Sequence, residues 1–373
     1  MSKIKTISTI VLLCNLIFFY SCGGAGNIDG ASKTTYTYVA NYGSDNISVY
    51  TIDEVTGRLS EIVGSPFVSV QRPYSVAVEP SGSFLYVANI GSNNISGYSI
   101  DANSGVLTEI YGSPFTTGNS PHSITVDPSG RYVYVVNADI SSSNVTVFEI
   151  NLSTGGLSEI SGSPFATGAN PYSISIDTNG TFAYVSNYSS NNISVFSIDT
   201  NTGGLTEISG SPFSTGSNPW TIAIHPSGMF AFVANVYSHN VSAYTIDSST
   251  GALSEVTGSP FASGSGPFYI TIDPAGKYAY VANNGSNNIS AYSINIMTGV
   301  LTEVEGSPFS AGLSPYSVNV ESTGNYATVA NYGSHNLSVY SINSSTGSLV
   351  EIEGSPFLSN YLPTSVMTNV YVN

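Results

Sequence analysis

The chain has 373 residues, 41% apolar and only 8% charged, and its 23 acidic against seven basic residues give a formal charge of −16 at pH 7. Such a surface repels phosphate backbones and anionic headgroups, which excludes a nucleic-acid-binding role. Two cysteines exclude a disulfide framework, and a single tryptophan excludes a quinone cofactor docked among tryptophans.

In chain order, Lys3 and Lys5 precede an apolar run, Ile10 to Tyr20, that is too short to cross a bilayer as a helix, so residues 1–21 read as an export signal. The run ends in Phe19-Tyr20-Ser21-Cys22. A small residue followed by cysteine resembles a bacterial lipoprotein cleavage site, although Phe19 stands where such sites usually carry Leu. The resemblance implies that Cys22 is the lipid-carrying first residue of the mature chain, that Cys14 is lost, and that the membrane is a partner through Cys22. The expected location is a bacterial cell envelope, at the outer membrane or cell surface. Without Lys3 and Lys5, five basic residues face 23 acidic ones, a charge of −18. Residues 22–34 are rich in Gly and small side chains and read as a flexible tether.

From residue 35 to 373 the sequence repeats. Gly-Ser-Pro-Phe occurs seven times, beginning at Gly64, Gly112, Gly162, Gly210, Gly258, Gly306 and Gly354, with a period of 48 residues and one unit of 50. That period belongs to propeller blades. In the unit from Pro121, Ser123 to Val126, Tyr132 to Val136, Val145 to Ile150 and Leu157 to Ile160 read as strands. Asp127-Pro128-Ser129-Gly130 and Ser153-Thr154-Gly155 supply the tight turns. The chain enters at Thr35 to Ala40, which aligns with a second strand, and ends at Thr364 to Val370, which aligns with a first. The expectation is an all-β fold, a seven-bladed β-propeller of four-stranded antiparallel blades. Its ring closes by pairing the C-terminal strand with the N-terminal blade, which removes free edges. Seven glutamates, from Glu61 to Glu351, recur on the fourth strands and read as charge that keeps the outer edges from pairing with other molecules.

Propeller sites usually lie at the mouth of the central channel. The residues after the repeated Pro are Tyr74, His122, Tyr172, Trp220, Phe268, Tyr316 and Thr364, an aromatic collar interrupted by one imidazole and one small side chain. Such rings suit sugars, lactones or extended peptides, and equally suit a hydrophobic plug. The loops between second and third strands share this face and mostly repeat Asn-x-Gly-Ser-x-Asn, whose amides can cap their own turns. Asp45, Asp139, His239 and His335 depart from the pattern, and no two are spaced like metal ligands, so no metal and no cofactor is expected.

The unit Pro121-His122-Ser123-Ile124 through Asp127-Pro128-Ser129-Gly130-Arg131-Tyr132-Val133-Tyr134-Val135-Val136-Asn137, with Thr154-Gly155-Gly156-Leu157 after it, resembles the seven-bladed lactonase family. That family includes propeller-type 6-phosphogluconolactonases and shades into surface propellers with Tyr-Val-Thr-Asn repeats. The resemblance implies a His that polarises the substrate or shuttles a proton, an Arg that holds an anionic group, and acidic residues near the channel. It places the family's Pro-His-Ser on Pro121-His122-Ser123, while Asn137-Ala138-Asp139 departs from its Asp-Leu-Gly. Arg131 falls at the far end of the blade, so Arg72, just before Pro73 in the adjacent blade, is better placed to meet an anion near His122. High similarity among blades favours a binding or interaction module acting through Tyr74, Tyr172, Trp220, Phe268 and Tyr316, with a glycan, peptide or lactone as ligand. The alternatives are a lactonase-like carboxylic-ester hydrolase using His122 and Arg72, and a structural surface protein without a small ligand. One Arg and no Lys at the mouth argues against a phosphosugar substrate. The propeller is expected to be a monomer.

Overall fold

The computed structural model describes residues 33–372, and the expected signal, Cys22 and most of the tether lie outside them. Seven sheets follow one another around a ring. Blades 2 to 7 are continuous in sequence. Blade 3, for example, runs from its inner strand Pro121–Val126 through Tyr132–Asn137 and Asn144–Ile150 to Leu157–Glu159. Blade 1 is composite: Lys33–Asn41, Asn46–Ile52 and Leu59–Glu61 come from the N-terminal side, and the C-terminal strand Pro363–Val372 is its inner strand. The two ends of the propeller pair antiparallel from Lys33↔Val372 to Asn41↔Pro363, which is the expected closure. The first strand begins at Lys33 rather than Thr35.

The fourth strand differs from expectation. It stops at the glutamate and resumes for two residues at the phenylalanine, as Leu157–Glu159 and Phe165–Ala166 do in blade 3. Gly-Ser-Pro lies in the gap, with a left-handed Gly and a cis Ser-Pro bond in every blade. The serine repairs the interrupted ladder. Its hydroxyl accepts the third-strand N–H that the missing carbonyl would have taken, from Val49, Gly97, Val147, Val195, Ala243, Ala291 and Val339, at 3.0–3.1 Å. In blades 1, 2, 4, 5 and 7 the same hydroxyl donates to the rim glutamate four residues earlier, as Ser113 does to Glu109 at 2.9 Å. These carboxylates therefore hold the serine in place as well as charging the edge.

Alternation on the second and third strands buries both faces, because each blade packs on two neighbours. One such core joins Phe84 and Tyr86 of blade 2 to Ile124, Val135 and Phe148 of blade 3. The turn before each outer strand locks onto the preceding blade. Gly155, at φ +74°, lies flat on the Phe84 ring, and its carbonyl accepts the Tyr86 hydroxyl at 2.8 Å. A Cβ at Gly155 would stand 2.5 Å from Phe84 Cδ1. Gly155→Ala combines this clash with a disfavoured positive φ and is expected to cost about 1–3 kcal/mol, read from denaturant melts. Gly57 against Tyr326 is the same contact between blades 1 and 7, across the closure.

Candidate functional site

The inner strands enclose a channel of about 430 Å³, lined along its length by residues such as Val76, Ile124, Ser175, Thr271 and Met367. Each strand starts at a buried Pro with a register shift just after it, and this bulge turns the next side chain toward the axis. The collar forms there. Tyr74 meets His122 at 4.9 Å, His122 stacks on Tyr172 at 4.4 Å, Tyr172 meets Trp220 at 4.7 Å, Trp220 stacks on Phe268 at 4.2 Å, and Phe268 meets Tyr316 at 5.3 Å. Thr364 is small and buried, its hydroxyl spent on the Tyr74 carbonyl at 2.9 Å. Tyr316 of blade 7 therefore reaches past blade 1 to Tyr74, centroids 5.8 Å apart and hydroxyls hydrogen-bonded. Tyr316 also reaches Trp220 at 6.0 Å. Rings that touch across the axis narrow this mouth, so the collar both lines and plugs it.

A second aromatic tier stands outside the first. Tyr42, Tyr188 and Tyr332 each follow the terminal Asn of a second strand: Tyr188 stacks on Tyr172 at 4.6 Å, Tyr42 meets Tyr74 at 6.3 Å, and Tyr332 meets Tyr316 at 5.5 Å. The sequence shows the tier once position 42 is aligned through the blades, but the polar loop pattern around it hides the signal. In blades 2, 3, 5 and 6 the equivalents are Ile90, Ala138, Val236 and Asn284, so the tier is absent in the blade of His122 and the one before it and resumes at Tyr188 in the next.

His122 has the geometry of a neutral base. Its Nδ1–H donates to the Ser120 carbonyl at 3.0 Å, leaving the Nε2 lone pair uncommitted among the described residues. Burial in the collar lowers its pKa to about 4, against a smaller opposing effect of the Ser120 carbonyl. Burial also pushes the Tyr74 and Tyr316 hydroxyls above the usual phenol range, so both remain hydrogen-bond donors. Arg72 takes a different position. It is exposed at φ +56°, its guanidinium lies 5.4 Å from the Tyr42 ring centroid, and its backbone N–H donates to Asp45 Oδ1 at 2.7 Å. The contacts between Arg72 and His122 run through Tyr42 and Tyr74. Arg131 lies on the hairpin at the other end of blade 3, 3.8 Å from Glu149.

The loop deviants have backbone partners. At one position in every blade a side chain accepts the N–H of the residue 27 positions later: Asp45 from Arg72, Asn93 from Ser120, Ser143 from Asn170, Asn191 from Asn218, His239 from Gly266, Asn287 from Ser314 and His335 from Leu362. His239 and His335 do with Nδ1 what asparagine does elsewhere. Asp139 instead caps its own turn: the Ser141 hydroxyl, and with it the Ser141 N–H at 2.8 Å, donate to its carboxyl and hold it below the usual range. His239→Asn is expected to leave stability within about 0.5 kcal/mol, and His239→Ala to cost about 1 kcal/mol, in paired urea melts. Among the described residues no group of three His, Cys, Asp or Glu is placed to hold a metal.

The sequence model of the family described as lactonase, 7-bladed β-propeller, matches residues 5–113, 72–170, 163–267 and 257–360. The chain belongs to this seven-bladed lactonase family. Among solved structures, a putative 6-phosphogluconolactonase from Bacteroides fragilis superposes with a TM-score of 0.80 at 20% identity, covering 92% of this chain and 100% of that one. A putative 6-phosphogluconolactonase from Bacteroides uniformis gives 0.79 at 20%, covering 90% and 99%. The periplasmic gluconolactonase of Pseudomonas aeruginosa gives 0.79 at 19%, also covering 90% and 99%. At these identities the likeness is one of fold. No curated protein matches the chain.

Proposed function

We propose that this lactonase-family propeller is a lactone hydrolase, held at a bacterial envelope by a lipid on Cys22. The observation that carries the reaction is His122: a neutral imidazole, fixed by the Ser120 carbonyl, with Nε2 free at the channel mouth. This reverses the preference for a binding module drawn from blade similarity, because one non-repeating residue in a collar position is enough asymmetry for proton transfer.

In the proposed reaction His122 Nε2 takes a proton from water as its oxygen adds to the lactone carbonyl. One of the paired Tyr74 and Tyr316 hydroxyls donates to the other, and the O–H of the accepting partner supplies a donor for the resulting oxyanion. Collapse breaks the ring C–O bond, and the proton returns from Nε2 to the departing ring oxygen, giving the open hydroxy acid. The collar rings offer apolar faces to the lactone ring. Arg72, outside the collar, is placed to meet a substituent rather than the reacting carbonyl. The test is turnover of a panel of neutral and anionic γ- and δ-lactones by the full-length protein. Hydrolysis supports the proposal. No turnover of any member, with Trp220 fluorescence responding to glycans or peptides, returns the collar to a binding surface. Arg72→Ala is expected to raise KM about tenfold for anionic lactones and to leave neutral ones unchanged, since one charge-assisted contact is worth about 1.5 kcal/mol.

A further inference from the structure

The outer rim repeats three exposed positions in each blade: the middle residue of the outer strand, the residue before Gly-Ser-Pro-Phe and the residue after it. In blades 3 to 6 these hold only Ser, Thr, Ala or Glu. Every large apolar side chain at these positions falls in three adjacent blades: Val350 and Leu358 in blade 7, Val63 and Val68 in blade 1, and Tyr111 in blade 2. They are 64%, 86%, 94%, 83% and 100% exposed in that order. Four blades of the same chain thus serve as an internal control, and packing cannot account for the difference. The rim segments are joined: the Tyr50 hydroxyl of blade 1 donates to the Leu358 carbonyl, and Tyr98 of blade 2 to that of Val68. An apolar arc on one side of a ring marks a contact surface.

Charge selects what the arc meets. Glu61, Glu109 and Glu351 stand exposed along the same edges, so two copies brought rim to rim would oppose like charges, and an anionic membrane would repel the arc. A zwitterionic surface carries neither penalty, and Arg58, exposed beside Gly354, offers a cation to its phosphates. The chain preceding the propeller enters at blade 1, the middle of the arc, and residues 23–32, fully extended, span at most about 35 Å. We propose that the rim of blades 7, 1 and 2 docks on a zwitterionic lipid bilayer, setting the propeller on its side, with the channel mouth facing along the membrane. Val, Leu and Tyr at exposed tips are suited to this boundary, Tyr because its ring is apolar and its hydroxyl wet. The inference rests on the lipid anchor proposed above.

The test uses the full mature chain on phosphatidylcholine vesicles, with a nitroxide on Val63→Cys or on Ser209→Cys, the same position in blade 4. Bound to vesicles, the label at 63 is expected to be several-fold less accessible to an aqueous nickel relaxant than that at 209, and equally accessible without vesicles. Adding Tyr111→Ser and Leu358→Ser, residues other blades already tolerate there, is expected to abolish the difference. Equal accessibility on vesicles overturns the proposal, as does protection at 63 without vesicles, which would show a second copy on the arc. The mass of the N-terminal peptide reports the lipid separately, so failure of the anchor and failure of the docking are distinguished.

Discussion

His122→Gln is expected to lower kcat for lactone hydrolysis by about 10²–10⁴-fold, the usual worth of a positioned general base, with a smaller change in KM. Glutamine keeps a polar side chain of similar reach but cannot take a proton. The wild-type pH profile carries the sharper signature. Because burial holds the His122 pKa near 4, kcat/KM is expected to stay level through neutral pH and to fall about tenfold per unit below pH 4, whereas an exposed histidine would bend the profile near 6.5. The variant should lack this limb. Stability has the corresponding dependence. The folded pKa lies below the unfolded one, so the unfolded chain binds the extra proton; the contribution is complete above about pH 6.5 and is lost as pH falls toward 4. Urea melts at pH 7 and pH 4.5 should show a smaller acid loss for His122→Gln than for wild type. A lactonase whose rate survives the substitution, with an unchanged acid limb, would remove His122 from the chemistry.

The period, strand alternation and mismatched chain ends made the ring and its closure legible, since each is a local pattern repeated. The collar was legible as a set of residue types for the same reason. Its closure across the axis was not, because that depends on Thr364 being too short to separate Tyr316 from Tyr74, a fact about three blades at once. Tyr42, Tyr188 and Tyr332 sit in loops whose Asn and Ser residues dominate the pattern, so a second tier of rings looked like polar turn. The split outer strand escaped because a serine hydroxyl replaces a backbone carbonyl there, and nothing in Gly-Ser-Pro-Phe shows which N–H it will meet. The backbone partners of Asp45 and His239 were hidden in the sequence because the residues they bond lie 27 positions away, beyond any turn pattern.

Deleting residues 363–373 is expected to abolish cooperative folding. The segment supplies the inner strand of blade 1, and its loss breaks nine paired positions with Lys33–Asn41. At roughly 0.5–1.5 kcal/mol for each ladder bond, that alone approaches the 5–15 kcal/mol by which a domain of ordinary stability is held together. The cores on both sides open as well. Val366 is buried with Val39 and Leu337 toward blade 7, and Tyr371 with Tyr36 and Leu85 toward blade 2. The Tyr371 hydroxyl also donates to the Gly82 carbonyl at 2.9 Å, tying the last strand to the next blade in the ring. Removal leaves the edge of Lys33–Asn41 unpaired and apolar, which favours association with other chains. The expected product is aggregated or lacks a sigmoidal melt, and adding the missing strand as a separate peptide should restore part of the transition. A soluble truncation that melts as the full chain does would show that the ring closes with only the three N-terminal strands in blade 1. Tyr371→Ala measures the same closure more gently: it removes one buried ring and its hydrogen bonds to Gly82 and Tyr38, at an expected cost of about 3–5 kcal/mol, while the strand ladder remains.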